Sequence, residues 1–148
     1  MKMQIAIATL FFCFVSCAPA GFVVDQSRLF GEDPDSPLVT VMRRRTFAGG
    51  GAPVRLYLDG ELIAYLGSGD YLEFQVRPGE HYLEMTYIEL IIKKETTEGV
   101  IHFNAKAKGK YYYYFNWGIF KGLTPEEAKR ELSTHRYELI TERITRGQ

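Results

Sequence analysis

The stretch Val54-Arg55-Leu56-Tyr57-Leu58-Asp59-Gly60 decides the fold prediction. Its apolar residues recur at every second position, which places Val54, Leu56 and Leu58 on one face of a strand. A second apolar run, Leu62 to Leu66, begins directly after Asp59-Gly60. A two-residue type I′ turn needs positive φ at both central positions, and Asp-Gly suits it well. The stretch therefore predicts a β-hairpin.

Short segments with the same alternation of apolar and polar residues occupy most of the chain after residue 38. A proline and a glycine in Arg77-Pro78-Gly79-Glu80 fit a type II turn. Strands spaced this closely and joined by turns predict a mostly β fold, an antiparallel β-sandwich of about seven strands. The other predicted strands are Leu38–Arg43, Tyr71–Val76, Tyr82–Ile92, Val100–Ala107 and Tyr111–Trp117, with Tyr137–Ile140 as a candidate edge strand.

One short C-terminal helix is predicted after the strands. Thr124 is a suitable N-cap, Pro125 occupies the first helical position, and Glu127 completes a capping box. The helix is expected to end near Ser133.

The first sixteen residues have the features of a signal peptide. Lys2 precedes an apolar run from Ile5 to Val15, which is shorter than the roughly twenty residues that a membrane span needs. Phe14-Val15-Ser16-Cys17 resembles a lipobox, in which Cys17 becomes the lipidated first residue. An ordinary cleavage site after Ala18-Pro19-Ala20 is the alternative, and it would release a plainly secreted protein.

These features divide the chain into a signal peptide (1–16), a lipidated tether (17–37) and the β-sandwich domain with its helix (38–148). The tether carries Pro34 and Pro37 and is rich in polar residues. Palmitate and two other acyl chains on Cys17 would anchor the protein stably in a membrane. Ala18 resembles the residue found after the lipidated cysteine in outer-membrane lipoproteins, which predicts an outer-membrane protein facing the periplasm.

Charge and cysteine content exclude several classes of function. The chain has 18 basic and 18 acidic residues, and loss of Lys2 with the leader leaves 17 against 18. Such a neutral chain offers no electrostatic basis for binding nucleic acid. Both cysteines, Cys13 and Cys17, precede the domain, so neither a disulfide framework nor a catalytic thiol is expected within it.

Four short patterns in order also resemble a known family. They are Val39-Thr40-Val41-Met42-Arg43, Tyr57-Leu58-Asp59-Gly60, Gly69-Asp70-Tyr71 and Val76-Arg77-Pro78-Gly79-Glu80-His81. Together they are similar to a family of bacterial lipoprotein domains of unknown function, with a sandwich like that of PEGA domains. The resemblance implies a small β-sandwich at the cell envelope, and it brings no catalytic residues.

The aromatic strand is the candidate recognition element. Alternation places Tyr111, Tyr113, Phe115 and Trp117 on one face, and Tyr112, Tyr114 and Asn116 on the other. The wholly aromatic face is expected to fill the core. The second face either stacks on sugar rings or peptides, or is covered by the helix.

Arg43 is the fourth candidate residue of this binding surface. It belongs to the run Arg43-Arg44-Arg45, which is shorter than the four to eight residues typical of a lipid-binding cluster. The run is therefore interpreted as a solvated strand end that could also contact anionic lipid or an acidic partner. Arg43 itself shares the face of Val39 and Val41, so its stem is expected to cross the core edge while its head reaches an acceptor.

No catalytic, cofactor or metal signature is present. His81, His102 and His135 form no metal-spaced pair, and no nucleophile elbow or phosphate loop occurs. The expected function is that of a non-enzymatic envelope lipoprotein that binds an envelope protein or cell-wall material, or serves as a structural module. The alternative is an envelope glycan hydrolase or transferase, which would need convergent carboxylates from among Asp70, Glu73, Glu84 and Glu89.

Overall fold

The predicted alternating segments form strands in the computed structural model, which describes residues 22–23, 33–46, 52–89, 94–116 and 118–140. The signal peptide, Cys17, residues 47–51, Trp117 and residues 141–148 lie outside the described residues. In chain order the elements are β1 Phe22–Val23, β2 Leu38–Arg43, β3 Val54–Leu58, β4 Glu61–Leu66, β5 Asp70–Gln75, β6 Gly79–Glu89, β7 Lys94–Ala105, β8 Lys110–Asn116, β9 Ile119–Leu123, α1 Pro125–Thr134 and β10 Glu138–Leu139.

The strands form two five-stranded sheets that pack as a β-sandwich. Sheet A has the order β1-β4-β3-β6-β7, and sheet B has the order β10-β5-β2-β8-β9. The predicted fold class is therefore confirmed, although the described strands outnumber the predicted seven. The pairing is also not wholly antiparallel, because β2 pairs with β8, and β10 with β5, in parallel.

The hairpin prediction at Asp59-Gly60 is confirmed. Asp59 has φ of 52° and Gly60 has φ of 82°, and β3 and β4 pair antiparallel around them. These values match the positive φ that a type I′ turn requires at both positions.

The second turn prediction is wrong. Gly79 has a positive φ of 140°, but a type II turn needs about 80° at that position. Gly79 already belongs to β6, and β5 and β6 lie in different sheets. The Arg77-Pro78 segment is thus a crossover between the sheets rather than a hairpin turn.

The core lies between the sheets and uses the predicted faces. Val54 and Leu56 of β3, and Leu72 and Phe74 of β5, are at most 1% exposed. In sheet B, β2 is buried on both faces, because Thr40 and Met42 are as fully buried as the inward-facing Val39 and Val41. Its parallel partner β8 also lies inside the sheet, so these two strands form the centre of sheet B.

The helix prediction is confirmed, with its end at Thr134 rather than Ser133. Thr124 caps the helix: its hydroxyl accepts from the Glu127 amide, and the Glu127 carboxylate accepts from the Thr124 amide. Helix α1 packs on β8 and β9. The candidate edge strand is also found, as β10 at the edge of sheet B.

Part of the predicted tether belongs to the folded domain. Phe22 and Val23 pair with β4. The Pro37 carbonyl accepts from the Val76 amide, and the Asp35 carbonyl accepts from the Lys108 amide. Residues 33–37 are therefore held against the sandwich by backbone hydrogen bonds.

Candidate functional site

Strand β8 separates its two faces as the alternation predicts. Tyr113 and Phe115 point into the core, where they are 5% and 3% exposed. Tyr112 and Asn116 are half-buried on the opposite face, whereas Tyr114 on that face is buried. We call the face of sheet B turned away from sheet A the outer B face. Helix α1 covers it over Tyr114 and leaves Tyr112 and Asn116 partly accessible.

The strand register extends the outer B face beyond β8. Tyr112 lies between Thr40 of β2 and Leu123 of β9. One step along the strands, Tyr114 lies between Met42 and Lys121, and the Lys121 ammonium is 5.8 Å from the centre of the Tyr114 ring. A lysine at this distance from a tyrosine face makes a cation–π contact. The accessible part of the face therefore combines the half-buried Tyr112 with the half-buried Leu123, and the side-chain oxygen of Asn116 is buried beside it without a hydrogen-bond partner.

Arg43 does not belong to this surface. It pairs with Phe115 across the two central strands and therefore points toward the inner side of sheet B. Its side chain is 6% exposed, and Nη1 donates to the carbonyls of Leu66 at 2.6 Å and Ala52 at 2.8 Å. Burial lowers the pKa of Arg43, and the charge of Asp70 opposes that effect. The predicted acceptor contact is found, but Arg43 cannot share a binding surface with Tyr112 and Asn116.

A polar cluster that the sequence analysis missed joins helix α1 to sheet B. The Arg44 guanidinium lies 2.6 Å from Nε2 of His135, and its other terminal nitrogen donates to the Tyr114 hydroxyl at 3.4 Å. Glu131 faces Nδ1 of His135 at 3.1 Å and accepts from the Tyr137 hydroxyl at 2.7 Å. We call these residues, Arg44, Tyr114, Glu131, His135 and Tyr137, the helix clip.

The three arginines at the end of β2 therefore have different environments. Arg43 is buried, Arg44 is half-buried in the helix clip, and only Arg45 is exposed. The interpretation of this run as a solvated strand end holds for Arg45 alone. In the sequence, the one signal for the clip is the spacing of Glu131 and His135, because residues four apart meet on a helix surface.

Of the four candidate carboxylates, the three whose side chains the structure describes lie in different environments and do not face one cleft. Glu73 follows the buried Leu72 and lies on the outer B face, where it accepts from the Thr40 hydroxyl at 3.2 Å. Glu84 lies on the outer face of sheet A, because its neighbours Leu83 and Met85 are in the core. Asp70 is 1% exposed and accepts from the Gly67 amide. The side chain of Glu89 lies outside the described residues.

His81 joins two loops at one end of the sandwich. Its Nδ1 is 2.6 Å from a carboxylate oxygen of Asp59, and its Nε2 is 2.8 Å from the Arg77 carbonyl oxygen. The other carboxylate oxygen of Asp59 accepts from the Tyr82 amide. Both ring nitrogens face acceptors, so both contacts are hydrogen bonds when the imidazole carries two protons.

The charge state of His81 follows from these contacts. Partial burial by itself lowers the pKa of His81, but the hydrogen bonds to Asp59 and the Arg77 carbonyl, with the charge of Asp59, raise it above 6.5. A folded-state pKa above the unfolded value stabilises the fold fully below about pH 6.5, and this contribution is lost as pH rises through the raised folded pKa.

We expect His81→Gln to remove a pH-dependent part of the stability. The variant should lose on the order of 1 kcal/mol at pH 6 and less at pH 9, because the wild-type contact weakens in alkali. Urea unfolding at both pH values measures the difference. His102→Gln, at an exposed site on sheet A, is the matched control. An equal loss at both pH values would contradict the assignment of a doubly protonated imidazole.

Within the residues that the structure describes, no group of three or more His, Cys, Asp or Glu side chains could hold a metal ion. None of the described helices is long and apolar enough to span a bilayer. Comparisons with protein-family models, curated proteins and solved structures returned no match.

Proposed function

We propose that the protein is a lipid-anchored lipoprotein of the outer membrane, whose sandwich faces the periplasm and works by binding or as a structural module, without catalysis. The anchor in this proposal is based on the lipobox-like sequence from Phe14 to Cys17. The observation that supports a role without catalysis is the use of ionisable side chains in the described part of the fold. Arg43 bonds to two backbone carbonyls, His81 joins two loops, and His135 contacts Arg44. Each of these groups holds elements of the fold together.

The glycan-hydrolase alternative receives no support from the described carboxylates. Glycoside hydrolysis needs two carboxyl groups on opposite sides of one bond, roughly 5 to 10 Å apart. Glu73 and Glu84 lie on opposite outer faces of the sandwich, and Asp70 is buried beside the Gly67 amide. Binding without catalysis therefore remains the function that the side-chain arrangement favours.

The accessible part of the outer B face is the proposed recognition surface. Tyr112 provides a half-buried aromatic ring, which suits sugar rings or an extended peptide, whereas the side-chain oxygen of Asn116 is buried without a hydrogen-bond partner. Beside Tyr112, the half-buried Leu123 of β9 adds an apolar side chain to this surface, whereas Thr40 on the other side is fully buried. The partner is accordingly proposed to be an envelope protein or cell-wall material.

We expect a photoreactive phenylalanine analogue at Tyr112 to form covalent adducts in intact envelopes. The same analogue at Tyr57, half-buried on the outer face of sheet A, is the matched control and should give none of these adducts. Gel shifts followed by mass spectrometry identify the products. Adducts from Tyr57 and none from Tyr112 would place recognition elsewhere.

The anchor is tested at Cys17. We expect Cys17→Ser to abolish incorporation of radiolabelled palmitate and to move the protein from the membrane fraction to the soluble fraction, because one residue carries all the acyl chains. Cys13→Ser, within the predicted signal peptide, should leave labelling unchanged. Wild-type protein that is unlabelled and soluble would refute the lipoprotein assignment.

A further inference from the structure

The contact between helix α1 and sheet B depends strongly on polar groups. Within α1, all of which the structure describes, Ala128 alone is buried, and Leu132 is the one large apolar side chain, which is half-buried. One alanine buries little apolar area, and helices gain most of their stability in proteins from a packed apolar face. The helix clip therefore carries an unusual share of the attachment over Tyr114. Elements with few buried apolar contacts are those that open locally before the rest of a domain unfolds.

The chain on both sides of α1 is anchored more firmly. Strand β9 pairs with β8 along its length, and the amide of Glu138 donates to the Gly69 carbonyl at 2.9 Å. Ile140, beyond β10, is fully buried in the core between the sheets. The helix can thus loosen from the outer B face while the flanking strands β9 and β10 stay in place.

The Arg44–His135 contact requires a neutral imidazole. A guanidinium has only N–H donors, so Nε2 of His135 must accept, and the ring proton must sit on Nδ1. Protonation of Nε2 would set two N–H groups against each other across 2.6 Å. Histidine is the side chain that gains this proton in mildly acidic solution.

A positive charge on His135 would also interact favourably with groups of its own helix. His135 is the C-cap of α1, where a positive charge is stabilised by the helix dipole. Its Nδ1 lies 3.1 Å from Glu131, one turn earlier, although the contact lacks hydrogen-bond geometry. A charged imidazole is therefore drawn toward Glu131 and away from Arg44. This exchange replaces a contact between helix and sheet with one inside the helix.

Two of the other ionisable groups around His135, Arg44 and Tyr137, keep their protonation state in mild acid, because the pKa of each is raised. Arg44 donates to the Tyr114 hydroxyl, which raises the pKa of Arg44 further. Burial and the hydrogen bond to Glu131 raise the pKa of Tyr137, so its hydroxyl stays neutral. Lys121 reaches the cluster from β9 through the Tyr114 ring. His135 is the group of the cluster whose contact with Arg44 depends on an unprotonated ring nitrogen, because Nε2 must act as the acceptor.

We propose that α1 is a pH-sensitive cover of the outer B face: protonation of His135 releases Arg44, loosens the helix and uncovers Tyr114 beside Tyr112. This inference rests on the proposed recognition role of that face, whose binding area mild acid would enlarge. The cover itself is a property of the free protein and can be measured without any partner.

The test is amide hydrogen exchange of the full chain at pH 7.5 and pH 5.5, corrected for the intrinsic pH dependence of exchange. Amides of residues 128–134 should exchange about tenfold faster at the lower pH, as loss of one hydrogen bond to a charged group would cause. The core strand β2 should show no change. In His135→Gln the amide oxygen still accepts from Arg44 but cannot be protonated, so the acceleration should disappear, while His102→Gln should retain it. A pH-independent helix, or the same response in His135→Gln, would overturn the proposal.

Photo-crosslinking at two pH values distinguishes two questions: whether the outer B face binds a partner, and whether helix α1 regulates that binding. Adducts at Tyr112 should increase at pH 5.5 in the wild type and stay constant in His135→Gln. Adducts that form equally at both pH values would overturn regulation by the cover while leaving recognition in place. Absence of adducts at both pH values would contradict the recognition role itself, and the exchange experiment would still decide whether the cover exists.

Discussion

Phe115→Ala should come close to unfolding the domain. Phe115 is 3% exposed on the inner face of β8, and its ring meets Phe120 of β9 edge-on, with centroids 6.3 Å apart. Truncation of a buried phenylalanine costs about 3 to 5 kcal/mol, and a domain of this size has a total stability of about 5 to 15 kcal/mol. Urea unfolding followed by circular dichroism measures the loss.

Ile119→Ala is the matched control for Phe115→Ala. Ile119 begins the neighbouring strand β9 and is 56% exposed. Surface substitutions usually change stability by no more than about 0.5 kcal/mol. Similar losses in the two variants would contradict the assignment of the Tyr113 and Phe115 face to the core.

Arg43→Met should be the second severe substitution. It removes the donor to the Ala52 and Leu66 carbonyls, and it removes a buried positive charge that interacts with Asp70, which is 1% exposed. A hydrogen bond to a charged group contributes about 1.5 to 3 kcal/mol, so the loss of both should cost about 3 kcal/mol or more. Adding Asp70→Asn should restore part of the stability, since the two sites are coupled.

Arg45→Met separates this effect from a general loss of positive charge. Arg45 is exposed two residues further along the same run, so its replacement should change stability by no more than about 0.5 kcal/mol. Chemical denaturation of Arg43→Met, Arg45→Met and the double variant with Asp70→Asn gives the comparison. Equal stability of the two single variants would show that the buried guanidinium does not hold the sandwich together.

The features predicted correctly are those determined by neighbouring residues. Asp59-Gly60 specifies its turn through two backbone conformations, and Thr124 with Glu127 specifies a helix start through two hydrogen bonds. The alternation in β8 identified Tyr113 and Phe115 as core residues, because a pleated strand turns successive side chains to opposite faces. Each of these signals is contained in fewer than ten residues.

The features that were missed depend on residues far apart in the chain. The parallel pairing of β2 with β8 joins strands that are separated in the chain by five others, β3 to β7. Arg44 and His135, which meet in the helix clip, are 91 residues apart. Strand β9 has a weak local pattern, because it contains Gly122 and a lysine and contributes mainly Phe120 to the core. No window of the sequence shows which side chains these segments will meet.

The candidate surface was predicted in part for the same reason. Alternation grouped Tyr112, Tyr114 and Asn116 on one face, as the structure has them. It could not show that α1 would bury Tyr114. For Arg43, alternation gave the correct face, that of Val39 and Val41, but this is the core face and so excludes Arg43 from the surface of Tyr112. The surface left accessible is therefore smaller than the sequence suggested, and its extent depends on the helix clip.

The mass of the mature N-terminal peptide tests the anchored-module account most directly. Protein extracted from the membrane fraction is digested with protease, and the N-terminal peptide is identified by mass spectrometry. The account predicts a peptide that begins at Cys17 and carries the added mass of its acyl chains. A peptide that begins at Gly21 without modification, recovered from the soluble fraction, would contradict the account and show plain secretion.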